Sequence, residues 1–240
     1  MKQLRLALLA ATALCGAALA TSASADTTWS FNAGIASDYV FRGIDQTTFQ
    51  SEGEIFGGVD LTVNQFYAGT WLSNTGPDND RGLEYDLYAG WRPSAGGVNW
   101  DLGAIFYGYS NSSGGFVSSD FNTVELRAGG TLPIGSGSVG GVVYWSPDFS
   151  GTGTNAEYAE INASYTFSNH ASISGAVGRQ FLDSGFYGIS GYTTWNVGVT
   201  YPITSHVGID VRYVDADNNA EAFTGLPQDQ NFVATLKLTY

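Results

Sequence analysis

Glu125 and Arg127 stand two residues apart, as do Asp210 and Arg212, and Asp38 and Arg42 stand four apart. On an extended strand these spacings put both charges of a pair on one face. The same alternation collects Asp60, Glu84, Asp86, Arg92, Asp101, Glu160 and Lys237 onto equivalent faces, eight acidic side chains and five basic in all. A face of mixed charge has two uses. Where it lines water, it forms an eyelet that selects ions or small polar solutes. Where facing walls nearly meet, it becomes a salt-bridge web that closes the space. Both uses are open to this sequence.

Other chemistry is thinner. His170-Ala171-Ser172 has the His-x-Ser spacing of a nucleophile and its base on one strand face, but no third group stands near to orient the imidazole. An enzyme is not expected. His170 and His206 are the two histidines, and Cys15 is the one cysteine. Asp78, Asn79 and Asp80, and Asp215, Asp217, Asn218 and Asn219, offer oxygen ligands of the kind Ca²⁺ takes, without EF-hand spacing. Solvated loop tips are the expectation there, with no metal and no cofactor.

The elements that must position the charged face are strands. Trp29, Phe31, Ala33 and Ile35 alternate with Ser30, Asn32, Gly34 and Ala36, and the pattern runs on through Tyr39 and Phe41 against Asp38 and Arg42. Period-two alternation of this kind marks a half-buried strand. Leu83–Arg92, Val98–Tyr107, Val207–Tyr213 and Phe232–Tyr240 repeat it. Twelve strands are predicted, near 29–42, 54–63, 66–73, 83–92, 98–109, 121–132, 139–146, 156–167, 171–181, 192–201, 206–215 and 231–240. Short turns at 64–65, 93–97, 133–138, 168–170 and 202–205 alternate with longer polar loops. That rhythm is expected of an all-β, antiparallel up-and-down transmembrane β-barrel of about twelve strands. Matching apolar faces across two turns predicts Phe167 opposite Ala171 and Tyr201 opposite Val207.

The outward aromatics sort by height. Trp29, Phe66, Trp91, Trp100, Phe167, Tyr201 and Tyr240 fall at short-turn ends; Tyr39, Phe41, Phe106, Phe121, Trp145, Trp195, Tyr213 and Phe232 fall near long loops. Two aromatic girdles around an aliphatic band suit a lipid-facing surface, whereas a soluble sandwich would turn its apolar face inward. Trp71 is the misfit, because its register turns it to the charged face.

Lys2 and Arg5, the Leu/Ala run Leu6–Ala20 and the small residues Ala23-Ser24-Ala25 have the layout of a cleaved export signal over residues 1–25. Leu14 before Cys15 opposes a lipid anchor. The barrel is then residues 26–240, and losing Lys2 and Arg5 takes the formal charge from −13 to −15. Nucleic acid, which needs basic surface, is excluded as a partner. The 32 glycines, 14 tyrosines and 14 phenylalanines agree with many short strands rather than helices.

Ala36-Ser37-Asp38-Tyr39-Val40-Phe41-Arg42-Gly43-Ile44-Asp45-Gln46-Thr47 resembles the opening of the TorF-type porins, also known as the Gcw_chp family. Phe66–Asn74 and Leu83–Gly90 are similar to that family's second and third landmarks, so the specific resemblance spans roughly residues 30–92. It implies an outer-membrane barrel with a transport role. The strand ending in Tyr240 is similar to the closing strand by which the barrel-assembly machinery recognises its clients. The expected protein is therefore a porin-like channel of the bacterial outer membrane, set in lipid and lipopolysaccharide. It would pass small hydrophilic solutes or ions, with a cation preference from its acidic interior. A closed structural or adhesive barrel is the alternative, and a lipid-modifying enzyme the remotest one.

Overall fold

The computed structural model describes residues 27–46, 53–75, 81–111, 121–225, 228 and 231–240. The predicted export segment, residues 1–25, and the loop residues Asp78, Asn79 and Asp80 lie outside these. Twelve long strands make one sheet. They are β1 Thr27–Ala36, β2 Glu54–Val63, β3 Phe66–Asn74, β4 Arg81–Trp91, β5 Val98–Asn111 and β6 Thr123–Ile134. The second half holds β7 Gly137–Ser146, β8 Ala156–Thr166, β9 Ser172–Leu182, β10 Gly191–Pro202, β11 Val207–Ala216 and β12 Asn231–Thr239. Each strand pairs antiparallel with its chain neighbours, and β1 pairs with β12 from Asn32↔Thr239 to Ala36↔Thr235. That last ladder closes the sheet into a barrel and removes both free edges. His206 secures the seam, its Nδ1 3.0 Å from the Thr239 carbonyl and its ring 5.2 Å from that of Tyr240.

The barrel is apolar outside and polar inside. Along β8 and β9, Ile161 and Val177 are exposed while Tyr158 and Gln180 are buried; along β6, Leu126 is exposed and Glu125 buried. Trp29, Phe66, Trp91, Trp100, Phe167, Tyr201 and Tyr240 are exposed at the short-turn end, and Phe121, Trp145 and Phe232 at the other. A soluble sandwich would reverse this polarity.

The turns fix register. Phe167 meets Ala171 as expected, with its N–H donating to the Ala171 carbonyl at 2.8 Å, so Tyr165 faces Ile173 and Ile161 faces Val177. The β10–β11 turn lies one residue further along the chain than expected. Tyr201 lies opposite Ile209, not Val207, because the ladder runs on through Pro202↔Gly208 and Ile203 donates to the Val207 carbonyl. The shift is by two residues, so every side chain keeps its face. β6 likewise continues past Pro133 to Ile134. A proline near a strand end gives up little, because few ladder bonds remain to be lost. Between β4 and β5, Ser94 and Ala95 pair with Asn99 and Val98 around Gly96-Gly97, whose φ values of 64° and 80° are those of a type I′ turn.

β1 is the exception among the strands. It ends at Ala36 rather than near Arg42. Ser37 still holds the wall, donating its N–H to the Ala234 carbonyl and accepting the Ala234 N–H on Oγ, both at 2.9 Å. The chain then leaves the wall and enters the bore. Val40–Phe41 pairs with Ile44–Asp45 in a miniature hairpin around Arg42 and Gly43, both left-handed at φ 50° and 78°. Tyr39 and Phe41 therefore do not face lipid: Tyr39 is buried, and Phe41 packs on the Tyr107 ring at 5.9 Å. The alternation of residues 37–42 is real, but it belongs to this inner hairpin. Trp71 is thereby explained, since it points inward to meet Tyr39 edge-on at 5.7 Å.

Candidate pore and its constriction

The inner hairpin crosses the bore near the long-loop end. It starts from β1, and Arg42 ends on β6, β7, β8 and β9, around the opposite side of the ring. Arg42 donates from both terminal nitrogens to the Glu125 carboxylate at 2.8 and 2.7 Å, and from one of them to Gln180 Oε1 at 3.4 Å. Its guanidinium lies 4.7 Å over Tyr144, 4.3 Å over Tyr158 and 4.8 Å over Phe41. The ion pair is nearly dry, with the side chains of Arg42 and Glu125 only 5% and 4% exposed. Burial works against the Arg42 charge, but the Glu125 carboxylate outweighs it and holds the guanidinium's pKa above its ordinary range. A forked, charge-assisted pair with aromatic faces on the cation is among the more specific contacts a guanidinium makes.

Gly43, beside it, permits the crossing. A Cβ there would sit 2.5 Å from Thr194 Oγ1 and 3.0 Å from the Ala216 side chain, on β10 and β11. Ile44 joins Ala156, Leu182, Tyr192 and Ala220 in an apolar cluster, with Phe149, Tyr187 and Phe223 from the long loops packed on it. Tyr39, on the other flank, donates to both oxygens of Glu84 at 3.2 Å. Burial, with Glu84 and then Asp86, raises the Tyr39 pKa well above its ordinary value. The hairpin is thus a strut with a basic tip, an apolar flank and an acidic flank.

The acidic flank holds Asp38, Glu84 and Asp86, all buried, together with Glu54. Glu54 shares the inward parity of Asp60, a signal present in the sequence but not taken up there. Lys237, on β12, lies within electrostatic reach of Glu54, as does Asp38. Asp86 Oδ1 is buried and accepts no hydrogen bond among the described residues. Carboxyl groups outnumber basic ones on this flank.

Towards the short-turn end the charges form smaller groups along the wall. Asp101 accepts from Tyr67 at 2.7 Å, from Arg92 at 3.1 Å and from Arg127 at 2.8 Å, and Arg92 lies 3.7 Å over the Tyr67 ring. Asp60 accepts from Tyr88 at 2.8 Å, and Glu160 accepts from Tyr158 at 2.9 Å and Asn162 at 3.2 Å. Asp210 and Arg212 do pair, at 3.1 Å, and Arg212 also donates to Asn196 and Ser174. In the other two expected pairs the arginines reach across strands: Arg42 to Glu125, and Arg127 to Asp101. Asp38 and Arg42 stand on the strut rather than on a wall strand.

Tyrosines were the larger omission, since Tyr67, Tyr88, Tyr107, Tyr144 and Tyr158 build the inner cluster. Tyr88 and Tyr107 do share a face with the charges, so parity carried the signal. The rings of Tyr67, Tyr88 and Tyr158 lie against the wall over glycines. A Cβ on Gly178 would run into the Tyr158 hydroxyl, and one on Gly90 would sit 2.5 Å from that of Tyr67. Gly178→Leu is expected to force Tyr158 off its seat and cost about 1–3 kcal/mol, read from urea unfolding in vesicles.

The remaining candidates resolve simply. His170 lies in the turn at φ 69° rather than on a strand, and the Ser172 hydroxyl is 2.9 Å from that of Thr166, so the shared strand face that a His-x-Ser pair needs is missing. Asp217 accepts the N–H groups of Thr193 and Asn219, both at 3.0 Å, and Asp215 accepts from Tyr213 and Ala216, so these carboxylates shape the loop.

A closed, inside-out antiparallel barrel with a polar bore is a porin-type transmembrane fold. The solved structures similar to it say the same: a KdgM porin superposes at TM-score 0.58 with 12% identity, over 88% of this chain and 98% of that one. A KdgM porin in complex with disordered oligogalacturonate gives 0.57 and 10%, over 90% and 98%, and a NanC porin 0.50 and 9%, over 88% and 98%. No curated protein matches. The family model described as "Bacterial protein of unknown function (Gcw_chp)" matches residues 20–240, and the chain belongs to that family.

Proposed function

We propose that this barrel is an outer-membrane channel for passive diffusion of small hydrophilic solutes, with a preference for cations. The observation that carries the reading is the polarity of the wall: an apolar, aromatic-rimmed exterior around a bore in which carboxylates outnumber basic side chains. Charges on that inner face are tolerable only where water or counter-ions meet them, and their sign biases what enters. Residues 1–25 would direct export, the short turns would face the periplasm, and the strand ending in Tyr240 would present the chain to the assembly machinery, with lipid and lipopolysaccharide around the girdles. The thirteen ionisable side chains singled out above are the proposed lining. Oligogalacturonate, the ligand of one similar porin, is a polyanion. The acidic flank of this bore argues against a solute of that charge.

Planar-bilayer recordings of the refolded protein test this. Discrete open steps, with a reversal potential shifted towards the cation in a salt gradient, are the expected result. A chloride-shifted reversal would remove the cation preference. The strut favours one second reading, a structural barrel with a shut bore, and a fully inserted but silent protein would establish it.

A further inference from the structure

We propose that residues 37–46 are a gate and that the Arg42–Glu125 pair is its latch, a reading that rests on the channel function above. The strut is attached to the wall at Ser37 and swings inward from there, so it is a tethered hairpin rather than part of the sheet. At its tip, Arg42 and Gly43 are the two central residues of the hairpin turn, both left-handed as a type I′ turn requires. The contacts that hold this tip on the far wall are the fork onto Glu125 and the stack between Tyr144 and Tyr158.

These contacts suit reversible closure. In a buried ion pair the Coulomb attraction is largely offset by the desolvation of both ions, so the net stabilisation is small. If the strut swings out, Arg42 returns to bulk water and Glu125 is rehydrated by the bore, which recovers that desolvation. Ile44 and Phe41 move with the tip and leave their apolar neighbours, a cost that the recovered hydration offsets only in part. The latch also has direction, because a fork onto one carboxylate flanked by two ring faces accepts a guanidinium in one orientation. While it is closed, the strut fills the centre of the mouth and covers Glu84, which Tyr39 caps. The moving part, on this reading, lies within the family landmark Ala36–Thr47, and Glu125 is its keeper on the far wall.

Single-channel recordings of Arg42→Lys and Arg42→Ala test the latch, each admitted only if it shows the heat-modifiable gel mobility of a folded barrel. Lysine keeps the charge but cannot fork onto both oxygens; alanine removes the contact. Conductance or open probability is expected to rise several-fold in the order parent, Arg42→Lys, Arg42→Ala. Guanidinium ion added to Arg42→Ala is expected to reduce the current by refilling the cage. Should Arg42→Ala fail the gel criterion, Arg42→Lys alone decides. Variants that conduct like the parent would overturn the latch and leave the channel standing. Silence from parent and variants alike, in barrels shown to be inserted, would remove the channel and the latch with it.

Discussion

An Asp210→Leu variant is expected to lose about 3 kcal/mol of unfolding free energy, measured by urea titration in lipid vesicles. Arg212 is fixed in the wall on β11 with its side chain 6% exposed, and Asp210 is its salt-bridge partner. It cannot move away, because its guanidinium lies against Gly198 and is tied to Asn196 and Ser174. Removing Asp210 therefore leaves a buried cation with neutral acceptors alone. The estimate sits at the low end of what broken buried pairs lose, since the Asp210 side chain is 20% exposed and water can partly screen the charge. Adding Arg212→Met to Asp210→Leu is expected to recover most of the loss, because apolar residues of similar volume replace buried pairs at little net change. Glu125→Leu makes the instructive contrast. It too strips a buried arginine of its carboxylate, but Arg42 stands on the proposed gate, which would carry it to water. Its loss should be smaller than that of Asp210→Leu and should show up as added conductance. Equal losses at the two sites would mean that the strut does not move.

The wall was legible in the sequence because alternation fixes which face each side chain takes. Eleven of the twelve strands lie within two residues of their expected bounds, and even the misjudged β10–β11 turn moved side chains by two positions without turning any over. The bore was less legible, for a physical reason. Parity says that Glu125 and Arg127 share a face, but not which charge on another strand comes nearest, and here strand stagger hands Arg127 to Asp101. Nor can alternation distinguish a strand packed between lipid and water from a hairpin packed inside a barrel. Asp38, Tyr39, Phe41 and Arg42 alternate just as a wall strand would. Two local signs were available: Arg42-Gly43 as a turn, and Trp71 pointing inward with no partner yet in view. Neither was enough to move residues 37–42 off the expected wall strand; the inner hairpin is what joins the two.

The same parity argument gives a paired experiment on adjacent residues. Ile161 stands at the middle of β8, 70% exposed on the outer face; Asn162, next to it, points inward and donates to Glu160. Ile161→Arg is expected to cost about 2–4 kcal/mol in vesicles, the cost of holding a guanidinium at mid-depth in hydrocarbon. Its effect should shrink in detergent micelles, where head groups and water reach the middle of the barrel more easily. Asn162→Arg places the same side chain beside Glu160 on the polar inner face and is expected to change stability by less than about 1 kcal/mol. What it should change is selectivity, moving the reversal potential away from the cation because it adds positive charge to the passage. A barrel with its apolar face inside would respond the other way round: Asn162→Arg would be the silent surface change, and Ile161→Arg would cost as much in micelles as in vesicles.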